Sequence, residues 1–159
     1  MSKSIFGRHM GTVSHATMRA EDLVPAFTDE LRELAIEFDR MEEFKKLLSE
    51  CAELMDKASK DEKVWESEEM SYLLNEDLFN ALNEFAPTGV YFGSHPGDGS
   101  DYGFWVSEGF PEDFDDLKKV NDLSEVPEGY NGEVLEVNDH GNMTLYRPVI
   151  TYEEVWSVV

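Results

Sequence analysis

Acidic residues set the chemistry this sequence can offer. Glu66, Glu68 and Glu69 form one cluster; Glu112, Asp113, Asp115 and Asp116 form another, interleaved with Phe110, Phe114 and Leu117. From Val64 to Tyr146, nineteen Asp and Glu face only Lys118 and Lys119, a net charge of −17. Carboxylates at that density repel one another and weaken the compact state. Their retention therefore points to a surface that another molecule reads. A protein that imitates DNA presents carboxylates at phosphate-like spacing on a rigid scaffold; a solvated helix face is the plainer reading of the same residues.

Two turn-rich segments hold the remaining polar groups of interest. His95, Asp98 and Asp101 lie in HPGDGSD, and Asp139 and His140 lie in NDHG. Asp98 and Asp101 have the oxygen chemistry of a Ca2+ ligand set. The loop lacks the alternating acids and terminal Glu of an EF-hand, so no metal is assigned to it. Gly97 and Gly99 are accounted for by the need to turn, and a catalytic role for His95 requires a partner within hydrogen-bond reach. A histidine beside an aspartate can be poised near neutral pH, but in NDHG the Asn and Asp start a turn and the Gly closes it. His9, His15, His95 and His140 are too scattered for a known metal-ligand spacing. There is no Gly-x-Ser-x-Gly elbow, and PGDGS lacks the Gly-Lys-Ser/Thr of a phosphate loop. No catalytic residue, metal or cofactor is assigned. A small enzyme or ligand-binding domain with its site at residues 95–101, assisted by Asp139 and His140, is the alternative to a binding protein.

The elements that must carry these residues follow from hydrophobic spacing. Residues 1–20 hold Lys3, Arg8 and Arg19, no acids and two histidines. They read as a flexible basic tail, with Ile5 and Phe6 tucked in. Between Pro25 and Pro87 there is no glycine or proline. Asp22 is a candidate N-cap, which puts Pro25 in the first turn. Apolar residues then recur at Phe27, Leu31, Leu34, Phe38, Met41, Phe44, Leu48, Cys51, Met55 and Ala58. The steps alternate between three and four, one helix face held for about nine turns. The repeated step of three near Met41 marks a kink or turn. Such a stripe either packs on the protein's own core or forms a coiled-coil seam between two copies; Phe27, Phe38 and Phe44 are bulky for a tight seam and favour the core. Glu42–Lys46 and Glu53–Lys57 have the supportive i,i+4 order. SKDEK (59–63) reads as a break, Asn75 as the cap of a further short helix, and Pro87 as a stop.

Strand signals begin after Thr88. VYFGS (90–94) and YGFWV (102–106) flank a seven-residue tip, and EVLEV (133–137) and NMTLY (142–146) flank NDHG. PEDFDDLKKVNDL (111–123) reads as a short helix and EEVWSVV (153–159) as a last strand. Helices first and strands afterwards predict an α+β fold, with an antiparallel sheet of four to five strands in a single domain over 21–159.

Composition narrows the class. The chain has 159 residues, 41% of them apolar, and thirty-five acids against thirteen bases give a net charge of −22. Phosphate backbones are gripped by Lys and Arg, so a surface of this sign excludes direct nucleic-acid binding through its own charge and favours basic proteins, including those that handle nucleic acid. A single cysteine, Cys51, excludes an internal disulfide and fits a reducing compartment. No apolar run suits a signal peptide or membrane span, which places the protein in the cytoplasm. Trp65, Trp105 and Trp156 are expected in or beside the core, and an exposed one would be a contact anchor.

Three runs, GTVSHATMRAEDLVPAF, GVYFGSHPGDGSDYGFWV and EVLEVNDHGNMTLY, resemble segments of small uncharacterised acidic proteins encoded by bacteriophages. The resemblance covers about a third of the chain and carries no functional residues with it. It implies a protein acting in the host cytoplasm by inhibiting a host factor.

Overall fold

The computed structural model describes residues 6–149 and 151–158, so Ile5, Lys3 and Val159 lie outside the described residues. The chain divides into two compact units, Met1–Glu108 and Gly109–Val159. The class is α+β, with helices and two three-stranded sheets. The expectation of one four- to five-stranded antiparallel sheet is corrected. Each hairpin recruits a different third strand, and one of those pairs in parallel.

In the first unit, Gly7–His9 form a 3-10 turn and β1 (Gly11–Ser14) follows. Helix α1 runs over Ala20–Glu37 with Arg19 at its N-cap, earlier than Asp22 would place it, so Pro25 lies inside the helix. The earlier start is held by Thr17, whose hydroxyl accepts from the Arg19 N–H at 3.2 Å and donates to Asp22 at 2.7 Å. Helix α2 spans Met41–Lys60. The break between them falls where the stripe skips: Asp39 adopts a left-handed φ of 55°, and the Arg40 N–H donates back to the Ala35 carbonyl at 2.8 Å, closing the α1 terminus as a Schellman-type turn. Most of the stripe is buried in the unit's own core, with Phe27, Leu31, Leu34 and Cys51 fully inaccessible, while Phe38 and Met41 at the break between the helices are exposed.

After a 3-10 turn at Glu62–Glu66, three helical pieces run on without a break: α3 (Glu68–Tyr72), a π-helical segment (Leu73–Leu78) and α4 (Phe79–Asn83). Ser67, not Asn75, is the cap, accepting from the Met70 N–H at 3.1 Å. Asn75 sits within the π-helical segment and donates to the Ser71 carbonyl.

Strands β2 (Val90–His95) and β3 (Asp98–Val106) form an antiparallel hairpin with a bulge at Ser94/His95, and β1 pairs antiparallel on the far side of β3. The tip is shorter than seven residues because Asp98–Asp101 continue the strand. Aromatic rings join helix to sheet: Phe27 meets Phe79, Phe92 and Tyr102 edge-on at 5.5, 4.9 and 5.7 Å, the favoured quadrupole geometry.

In the second unit, β4 (Lys118–Val120) pairs in parallel with β5 (Val134–Val137), which pairs antiparallel with β6 (Met143–Tyr146). Val120, Val134 and Leu135 are its buried apolar residues among those described. The helix expected over 111–123 is replaced by turns, β4 and a 3-10 turn at Leu123–Glu125. Four carboxylates within five residues repel, and Asp is a weak helix former, so pairing of Lys118–Val120 with β5 prevails. The second hairpin forms around Gly141 (φ 78°). The expected last strand does not form among residues 151–158, where Tyr152, Val155 and Trp156 are exposed. This run lacks the alternation that would give a strand one buried face.

Candidate functional site

The two carboxylate clusters fall in different units. Capping by Ser67 puts Glu68 and Glu69 in the first turn of the α3 run, where negative charge complements the exposed N–H groups. Glu66 ends the preceding 3-10 turn. Glu112, Asp113, Asp115 and Asp116 ride on consecutive turns closed by Asp113 N–H to Gly109 O (2.9 Å), Phe114 N–H to Pro111 O and Leu117 N–H to Phe114 O (both 3.2 Å). The Phe110 and Phe114 rings pack on each other at 5.2 Å. All seven carboxylates are exposed. None pairs with a base within 4 Å among the described residues. They are thus the opposite of the helical acids on α2, which are partly neutralised by Lys45, Lys46 and Lys60.

The 95–101 segment is a tight, self-satisfied turn. His95 Nδ1 accepts the Gly97 N–H at 3.0 Å. The ring stands edge-on to Trp105 at 4.7 Å, and the Trp105 indole donates to the Gly93 carbonyl at 3.0 Å. Asp98 accepts from the Ser100 N–H (3.0 Å) and hydroxyl (2.8 Å). These bonds hold its carboxyl below the ordinary range. The structure also brings His15 of the N-terminal segment to 3.6 Å from Asp98, and Thr12 of β1 donates to Asp101 at 3.2 Å. Both partners were invisible in the sequence because β1 lies nearly ninety residues upstream of β3. The second oxygen of Asp101 is buried without a hydrogen-bond partner among the described residues. Asp139 and His140 belong to the second unit, exposed at a turn where Asn138 accepts from the His140 and Asn142 N–H groups at 3.0 Å. That is turn chemistry. No group of three His, Cys, Asp or Glu suited to a metal occurs among the described residues.

One constellation escaped the sequence entirely. His9 is buried, its side chain 3% exposed, between two carboxylates of α1: Nδ1 lies 2.6 Å from Glu30 and Nε2 lies 2.9 Å from Glu37. Arg8 Nε also approaches Nε2, at 3.3 Å. Arg8 pairs with Glu37 as well. The hydrogen bond from His9, followed by the charge of Arg8, holds the Glu37 carboxyl below the ordinary range. The seven-residue spacing of Glu30 and Glu37, two turns on one helix face, was the available signal, but nothing local tied it to His9. The cluster clasps the N-terminal segment to α1, together with Phe6, which packs edge-on to Phe104 at 5.0 Å. Cys51 is fully buried and its thiol is pushed up by burial, the environment of an inert core cysteine. No helix among the described residues is long and apolar enough to cross a membrane.

Comparison with protein-family models, with curated proteins and with solved structures gives no match.

Proposed function

We propose that this is an acidic binding protein that engages a basic, nucleic-acid-handling protein, acting as a phage-encoded inhibitor of a host factor in the host cytoplasm. The observation that carries the reading is the state of the seven carboxylates at 66–69 and 112–116: exposed, held on capped or hydrogen-bonded turns, and without basic partners among the described residues. Unpaired surface charge of one sign steers an oppositely charged protein and sets its orientation. A DNA-like row of charge is the finer form of this proposal.

Capture from a bacterial lysate tests it, using the wild type and a variant with Glu66, Glu68, Glu69 and Glu112 changed to Gln and Asp113, Asp115 and Asp116 changed to Asn. The expected result is a nucleic-acid-handling partner retained at low salt, released at high salt and absent with the neutralised variant. Salt-insensitive capture, or equal capture by the variant, removes the reading.

A further inference from the structure

We infer that the groove between α2 and the α3–π run is a docking site for an arginine side chain of a basic protein segment. This inference rests on the acidic-binding reading and gives it an anchor point. The groove encloses about 330 Å3 and is lined by Glu50, Glu53, Leu54 and Lys57 from one wall and Glu69, Tyr72, Leu73 and Asp77 from the other.

The first wall has the spacing of a single α-helical face. The second starts the same way with Glu69, Tyr72 and Leu73, and an α-helix would continue it with Glu76. A π-helical turn takes one more residue than an α turn. The Leu73–Leu78 segment therefore rotates Asp77 into the groove and leaves Glu76 exposed outside it. The result is a trough with an apolar floor, the buried Leu54 and Leu73, four carboxylates above it, and a tyrosine 61% exposed at the rim. Glu50 is shared with Lys46 at 3.5 Å; Glu53, Glu69 and Asp77 have no ion pair among the described residues.

The occupant follows from charge complementarity and shape. The acids outnumber the single Lys57, so the groove selects a cation. The carboxyl of Asp77 is raised by burial first, then by Glu50 and Glu76, which a bound cation would relieve. The acids are not gathered as metal ligands among the described residues. An arginine matches the remaining features: its methylene stem covers the leucine floor, its planar head stacks on Tyr72, and its forked donors reach more than one carboxylate.

The full chain, isotopically labelled, is titrated by NMR at low salt with a capped Gly-Arg-Gly-Arg-Gly peptide. The citrulline counterpart is the neutral control. Shift changes are expected to concentrate at 50–57 and 69–77. Glu50→Gln with Asp77→Asn should weaken binding about fivefold or more, as expected for charge-assisted contacts at a partly open site. Glu128→Gln with Glu153→Gln removes the same charge at exposed positions outside the groove and outside the two carboxylate clusters, and should leave affinity within about twofold. Tyr72→Ala, which leaves the charge untouched, should also weaken binding. Shifts scattered over the surface, equal loss in both double variants, equal binding of the citrulline peptide, or Mg2+ giving the same shifts with the same variant sensitivity would each overturn the proposal. Peptide binding that ignores the groove variants, with salt-sensitive partner capture retained, refutes the groove alone. Loss of partner capture while the peptide still seats refutes the acidic-inhibitor reading alone.

Discussion

Single residues show how the same side-chain type is given opposite properties by its surroundings. Glu37 and Asp77 are both on helical segments of the first unit, yet one carboxyl is held low and the other raised. Glu37 receives a hydrogen bond from His9 and the charge of Arg8. Because its folded value is depressed below the ordinary 4.5, its contribution to stability is present above that pH and is lost as the pH falls through the folded value. Thermal melts across the acid range should therefore show a shallower acid limb, and a lower midpoint at pH 7, for Glu37→Gln than for the wild type. Asp77 has the reverse sign. Its neutral form contributes stability that is complete below the ordinary 3.8 and lost as the pH rises through the raised folded value. Asp77→Asn should accordingly melt higher than wild type at pH 7 and lose that advantage on acidification. An unchanged midpoint at pH 7 would contradict the burial of this carboxylate and the repulsion from Glu50 and Glu76. A stabilising loss of a groove carboxylate is also what a binding residue kept at the expense of stability should show.

At the scale of elements, the sheet of the first unit depends on a close backbone approach. A Cβ on Gly103 would lie 1.9 Å from the Gly11 carbonyl oxygen and 2.8 Å from its carbon. These are backbone atoms that cannot rotate aside, so β1 would have to leave β3. Gly103→Ala should cost about 2 kcal/mol or more, in the manner of an overpacked core position, read as a drop in denaturant midpoint with faster amide exchange along β1. Retained protection of Thr12 and Val13 would show that the strand pair adjusts instead. The consequence reaches the 95–101 turn, because β1 brings Thr12 to Asp101 and leads into His15 beside Asp98. The helical elements divide their labour differently. α1 and α2 commit most of their apolar stripe to the core, while the π-helical segment commits one residue of offset to a groove wall.

For the molecule as a whole, the net charge of −22 is the controlling quantity. Like-charge repulsion opposes compaction and is screened by salt, with a Debye length near 10 Å at 0.1 M and shorter above it. The melting midpoint should rise as NaCl is increased from about 0.02 to 0.5 M, and the neutralised seven-residue variant should show a smaller rise. A flat or falling response would mean that the ion pairs on α1 and α2, which salt weakens, outweigh the repulsion. The binding and stability proposals meet here: a basic partner would act on the free protein as salt does, but locally.

Local pattern by itself determined the α+β class, the long helical stripe and its break near Met41, the two hairpins, the buried role of Cys51 and the excess of acid over base. Each is written in neighbouring residues, whose spacing and charge act without reference to the rest of the chain. Tertiary structure decided what depends on distant partners. Gly11–Ser14 became a strand because β3 offered an open edge. Residues 111–123 gave up a helix because β5 could pair with Lys118–Val120. His9 found Glu30 and Glu37 only when the N-terminal segment docked on α1, and Asp77 turned toward α2 only because the helix carrying it widened by one residue. Periodicity reports which face of an element is apolar; which other element covers that face is settled by packing between residues far apart in the chain.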